Sequence, residues 1–152
     1  LYRIAQGHYQ LDIAYHEAAE LLQDVALEIN PLQGGQGAAE VVVEGGAGLY
    51  GFFDREIVRG ILLNAVHNAL RFSSGKIRIS AAGEDDGPGF PPGMLAAGAA
   101  PARIESQGGS TGLGLYFSAT TAALHHSRGK KGFVKLQNGG ALGGAVFSLY
   151  LP

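Results

Sequence analysis

Glycine accounts for 25 of the 152 residues, against an ordinary share of about 7%, and its distribution constrains the fold more than any other feature. The glycines gather at 34–37, 45–51, 87–98, 108–114 and 139–144, with no collagen-like period. They punctuate loops between short periodic segments. Glycine permits positive φ and lets the backbone approach a ligand closely. Most of these groups read as flexible connections, but the one at 108–114 runs straight into a helical pattern.

The segments between the glycines alternate in period. Residues 11–15 read as a short strand. Residues 17–29 place Ala18, Leu21, Leu22, Val25 and Ile29 on one helix face, and Pro31 with the glycines after it ends that helix. Residues 40–44 form a buried strand through Val41, Val42 and Val43, and 49–53 another short one. Asp54 is an N-cap for a helix to about Phe72, with Ile57, Ile61, Ala65 and Ala69 as its apolar ridge. Residues 76–80 alternate as a strand through Ile77 and Ile79. Pro91 and Pro92 open a loop or short helix that fades into 96–101. A helix is expected over 112–126, then strands over 132–137 and 144–151 joined by Asn138-Gly139-Gly140. No internal repeat is present. Helices mixed with strands and a closing hairpin indicate an α+β two-layer sandwich.

At this length one domain is expected. A formal net charge of -2 gives no reason to expect nucleic acid or an anionic membrane as main partner. The chain has no cysteine, which excludes disulfides and thiolate metal sites. No apolar run approaches membrane-spanning length. No His/Glu set has zinc spacing, and all five histidines read as structural or surface residues, His125 and His126 at a helix end.

Three stretches carry chemistry. At about 100° per residue, Asn64, Asn68 and Arg71 share one side of the helix 54–72. Amide oxygens at i and i+4 can share a hard cation such as Mg²⁺, and Arg71, one turn on, can meet a phosphate. The second stretch is Asp85-Asp86-Gly87-Pro88-Gly89, a carboxylate at the edge of a glycine turn, able to accept from an exocyclic amine. The third is Gly108-Gly109-Ser110-Thr111-Gly112-Leu113-Gly114-Leu115, leading into a helix whose first N–H groups form an anion site. It is not a Walker loop, because no Gly-Lys-Ser/Thr follows, and it does not directly follow a strand as a Rossmann loop would. Taken singly, each stretch also has a plain reading: a solvated stripe, a surface turn, a flexible loop.

Taken in order, the stretches resemble the ATP-binding catalytic domain of sensor histidine kinases, in the superfamily that also holds type II topoisomerase, heat-shock chaperone and mismatch-repair ATPases. The asparagine box is matched by Asn64-Ala65-Val66-His67-Asn68-Ala69-Leu70-Arg71-Phe72, and the two glycine boxes by Asp85-Asp86-Gly87-Pro88-Gly89 and Thr111-Gly112-Leu113-Gly114-Leu115. The ending, residues 143–152, is similar to the family's closing strand. The resemblance covers 11–152 as an ATP-binding catalytic domain. It implies a Bergerat-type sandwich with a mixed sheet and helices on one face. It also implies that residues 1–10 end an upstream helical segment for dimerisation and phosphoacceptance.

Carried over residue by residue, the resemblance implies that Asn68 with Asn64 holds Mg²⁺ against the triphosphate of ATP and that Arg71 faces phosphate. Asp85 would read the adenine amine, with Gly87 and Gly89 shaping the base pocket. Gly112, Leu113 and Gly114 would form the phosphate loop, and residues 93–110 the lid. The implied activity is transfer of the ATP γ-phosphoryl to a histidine outside this chain. The implied partners are a phosphoacceptor-histidine hairpin of the same protein and a response regulator, with dimerisation through the upstream region and a cytoplasmic location, as in a membrane-anchored sensor. Two departures stand out. Only Ala81-Ala82-Gly83 separate Ser80 from Glu84, where the family has a strand hairpin, and the lid lacks a phenylalanine-rich segment. A non-catalytic nucleotide-binding module and an ATPase of the same superfamily remain as alternatives.

Overall fold

The structure, a computed structural model, describes residues 9–30, 39–71, 73, 75–82 and 113–152. The chain runs through β1 (Ile13–Glu17), α1 (Ala18–Ile29), β2 (Glu40–Gly45), β3 (Tyr50–Asp54), α2 (Arg55–Leu70), β4 (Lys76–Ala81), α3 (Leu113–Ala122), β5 (His126–Ser127), β6 (Lys130–Lys131), β7 (Phe133–Asn138) and β8 (Ala145–Tyr150). The turn at Asp85, Gly87 and Gly89, the lid, Gly112 and residues 1–8 lie outside the described residues.

The starts of α1 and α2 have local causes. At α1 the N-cap is Glu17, whose side chain makes no capping bond. The first amides are met by a loop instead: Ala18 N–H donates to Leu49 O (2.8 Å) and Ala19 N–H to Gly46 O (3.3 Å). Gly46 has φ +81°, and a Cβ there would lie 3.2 Å from Ala19 N, so both conformation and space select glycine. Beyond the far end of α1, the Asn30 amide pairs twice with the Val41 backbone, at 3.0 Å in each direction, and ties the helix to β2. At α2 the cap is Asp54, whose Oδ1 accepts from Ile57 N–H at 3.0 Å. That is the arrangement its position predicts.

Helix α2 is the spine of the core. Val66 packs with Leu22, Val25, Ala26 and Ile29 of α1 and with Val41, Ile77 and Ile79 of β2 and β4. Val58 packs with Leu21 and Phe53, with Leu149 and Leu151 against them. Ile57 and Ile61 pack with Ala122 of α3, and with Val134 and Phe147 of the closing hairpin. A fully buried side chain of this kind contributes about 1.5–3 kcal/mol. Along β4, Ile77 and Ile79 face inward while Lys76, Arg78 and Ser80 face solvent, so the helices cover one side of the strands.

The strands form four two-stranded ladders among the described residues. β2 runs parallel to β4, while β1–β3, β5–β6 and β7–β8 are antiparallel. Mixed pairing and an α+β sandwich are as expected. The chain has no length for the strand hairpin that the family resemblance puts ahead of Asp85, because β4 continues to Ala81 and only Ala82 and Gly83 precede Glu84.

Two expectations are corrected. β1 lies two residues later than 11–15. The helix expected over 112–126 spans Leu113–Ala122, and a small hairpin, β5–β6, follows it. Hydroxyls weaken the helix: Ser118, Thr120 and Thr121 each donate to the carbonyl four residues back (2.8–2.9 Å), a pattern that competes with the helical ladder. His125 is then drawn into the core. The β5–β6 turn is Arg128-Gly129 with φ of 48° and 79°, the positive pair that a two-residue hairpin loop requires.

Candidate functional site

The packing of α2 against α3 sets the site. Ala122, at the end of α3, meets Ile57 and Ile61 near the start of α2, while Asn64 further along α2 meets Ser118 and Gly114. The helices therefore run antiparallel, and the start of α3 lies beside the second half of α2. There the backbone N–H groups of the first turn of α3 have no helical acceptor.

Asn64 is half-buried, and its Nδ2 donates to Ser118 Oγ at 3.1 Å. Ser118, 2% exposed, donates in turn to Gly114 O at 2.9 Å. Gly114 lies directly against the amide: a Cβ there would fall 2.6 Å from Asn64 Oδ1 and 2.7 Å from Nδ2. Asn68 is half-buried one turn further along α2, and Arg71 is its exposed C-cap. Leu113 is the first residue of α3. The structure thus brings Asn64 and Gly114 into contact and keeps Asn68 and Arg71 on the same helix. Asp85, Gly87, Gly89 and Gly112 belong to the undescribed stretch.

These residues fit a cation held mainly by phosphate. Among the described residues no group of three or more His, Asp or Glu side chains could hold a metal ion, so a cation here would depend on amide and phosphate oxygens. Asn64 Oδ1 makes no hydrogen bond among the described residues, while Nδ2 is engaged. Neutral oxygens that leave several positions to water and phosphate suit Mg²⁺.

The opposite end of the same helix pair holds a second polar cluster. Asp54, 1% exposed, accepts at Oδ2 from Tyr9 OH and from Asp12 N–H, both at 2.9 Å, in addition to its capping bond. Its own N–H donates to His125 Nε2 at 3.0 Å. Burial is the largest influence on Asp54 and would raise its pKa. The bonds from Ile57, Asp12 and Tyr9, with the nearby His125, together outweigh it and hold the carboxyl below its ordinary value. Burial lowers the pKa of His125 despite the neighbouring Thr121 carbonyl and Asp54. Because Nε2 accepts, the neutral ring carries its proton on Nδ1, and that buried atom makes no hydrogen bond among the described residues. Tyr9 is raised by burial and by its bond to Asp54.

Sequence reasoning places His125 correctly as structural but does not find its partner, 71 residues away. It misses Ser118 altogether, and the signal was a hydroxyl one turn after Gly114.

The fold and the helix pair define an α+β sandwich with a glycine-led helix set beside an asparagine-bearing one. Residues 53–152 match the family described as Histidine kinase-, DNA gyrase B-, and HSP90-like ATPase, and the chain belongs to that family. No curated protein sequence matches the chain. Among solved structures it is similar to the cytoplasmic segment of histidine kinase QseC (TM-score 0.67, 16% identity, 99% of this chain and 88% of that one). It is also similar to the catalytic domain of histidine kinase ThkA (0.68, 21%, 93% and 96%). A third is full-length ShkA in complex with AMPPNP (0.63, 24%, 93% and 31%). The fold is that of histidine kinase catalytic domains, and ATP binding goes with the family. No helix among the described residues is long and apolar enough to cross a membrane.

Proposed function

We propose that this domain transfers the γ-phosphoryl of ATP to a histidine on a separate helical hairpin, as the kinase half of a two-component sensor on the cytoplasmic side. The observation that carries the reading is Asn64. In the hydrolysing members that the resemblance points to, a glutamate that activates water stands at this position, and an amide cannot take a proton. Phosphoryl transfer asks a protein chiefly for positioning and charge neutralisation, and the described residues offer those. Asn68 and Asn64 would hold Mg²⁺, which would supply charge neutralisation on the phosphates. The first turn of α3 would receive the phosphate oxygens, and Arg71 stands at the end of α2 to meet a further one. Asp85 would select adenine. A response regulator would then accept the phosphoryl group, and dimerisation would come from the upstream region.

The test is titration with an ATP analogue with and without Mg²⁺, then phosphotransfer to a supplied histidine-bearing hairpin. Binding that depends on Mg²⁺, followed by transfer, is expected. Asn68→Ala should lose transfer with its melting temperature unchanged. Nucleotide binding without transfer to any acceptor hairpin would favour a non-catalytic module, and steady release of phosphate without an acceptor would favour an ATPase.

A further inference from the structure

The Ser118 hydroxyl has one proton, and it goes to Gly114 O (2.9 Å). Toward Asn64 the hydroxyl oxygen can therefore only accept. That fixes which end of the Asn64 amide faces Ser118: it must be the donor, Nδ2, at 3.1 Å. Oδ1, the only atom of this side chain able to ligate a cation, is then not taken up by Ser118. Gly114 completes the seat, because any Cβ at that position would sit within 2.7 Å of both amide heteroatoms.

We infer that Ser118 is a positioning residue, whose hydroxyl holds the Asn64 amide with Nδ2 turned to Ser118 and so leaves Oδ1, beside Gly114, to the cation. The inference rests on the reading of the site given above and adds a residue to it. Ser118 is 2% exposed and cannot itself reach a nucleotide from that depth. It acts only through Asn64 and through the Gly114 carbonyl. One consequence is that the metal stripe on α2 and the phosphate-facing turn on α3 are joined by a single hydroxyl, so occupancy of one is coupled to the geometry of the other. Without the hydroxyl the amide is free to rotate by half a turn, and Nδ2, which repels a cation, competes with Oδ1 for the same direction.

The experiment compares wild type, Ser118→Ala and Ser118→Thr in two readouts. The first is the gain in affinity for a non-hydrolysable ATP analogue on adding Mg²⁺. Ser118→Ala should lose at least about fivefold of that gain while its Mg²⁺-free affinity stays at the wild-type level, and Ser118→Thr, which keeps the hydroxyl, should recover it. The second readout needs no ligand: the side-chain amide resonances of Asn64 in the empty protein. They should show slowed exchange in wild type and in Ser118→Thr, and solvent-like exchange in Ser118→Ala. Unchanged Mg²⁺ dependence and unchanged Asn64 amide exchange in Ser118→Ala would overturn the inference and leave the site reading standing. A wild-type protein whose analogue affinity ignores Mg²⁺ would overturn the site reading, and this inference with it.

Discussion

The two ends of the α2–α3 pair are tied in opposite ways. At one end Asp54 is 1% exposed, and its carboxylate and amide together make four hydrogen bonds, to Tyr9, Asp12, Ile57 and His125. At the other end one direct bond, Asn64 to Ser118, spans the two helices, and an amide oxygen is left over. The first end spends its carboxylate on structure, with His125 Nδ1 its one unmatched buried atom among the described residues. The second holds some back. A buried carboxylate that accepts three hydrogen bonds fixes the helices like a pivot, while a half-buried amide with a spare oxygen can still respond to what binds there.

The largest test of this contrast is Asp54→Ala. It removes an N-cap and two further part-buried hydrogen bonds, from Tyr9 and Asp12, so it should cost on the order of 3 kcal/mol, read as a lower urea midpoint. Analogue affinity of the protein that remains folded should not change. A loss of affinity at unchanged stability would invert the comparison.

Acid should act next, and at the same end. His125 and Asp54 both have native pKa values below their ordinary 6.5 and 3.8. A lowered native value means that the unfolded chain binds the proton more readily, so the stabilisation is complete above the ordinary value and fades as pH falls through the native one. Stability should therefore begin to fall below about pH 6.5 as His125 titrates, and fall again in the carboxylate range. The first fall is worth roughly one hydrogen bond, about 1 kcal/mol. His125→Gln, whose amide oxygen can still accept from Asp54 N–H, should remove that first phase and keep the second. Urea unfolding at stepped pH would show it.

Gly114→Ala probes the other end. Its Cβ would displace the Asn64 amide, at a cost of about 1 kcal/mol for the lost bond. The gain in helix propensity, up to about 1 kcal/mol, offsets it. Melting should thus be nearly unchanged while Mg²⁺-dependent analogue affinity drops about tenfold. Smallest of all, Arg59→Ala removes the ion pair with Glu28 that, with Arg55–Asp24, links α2 to α1. These side chains are about a third exposed or more, so less than about 1 kcal/mol is expected, shrinking further in salt.

What could be read in advance follows the same divide. The cap at Asp54, the ridge Ile57–Ile61 and the inward Ile77 and Ile79 were legible because they are local or periodic signals. The amide stripe was legible as a helix face. The partner of Asn64 was not, because it stands 54 residues away and a serine in a helix carries no mark of what it will meet. The early end of α3 was hidden for a related reason. Three back-bonding hydroxyls and a histidine pulled toward Asp54 override an apolar pattern that would otherwise run on.

Tyr9 and Asp12 reach Asp54 before the first strand has begun. In mechanical terms residues 9–12 form a strut bolted to the head of α2. A pull on that strut need not deform the strands to be felt. It loads the first turn of the helix, and Asn64 sits ten residues along that same rod, about 15 Å from the bolt.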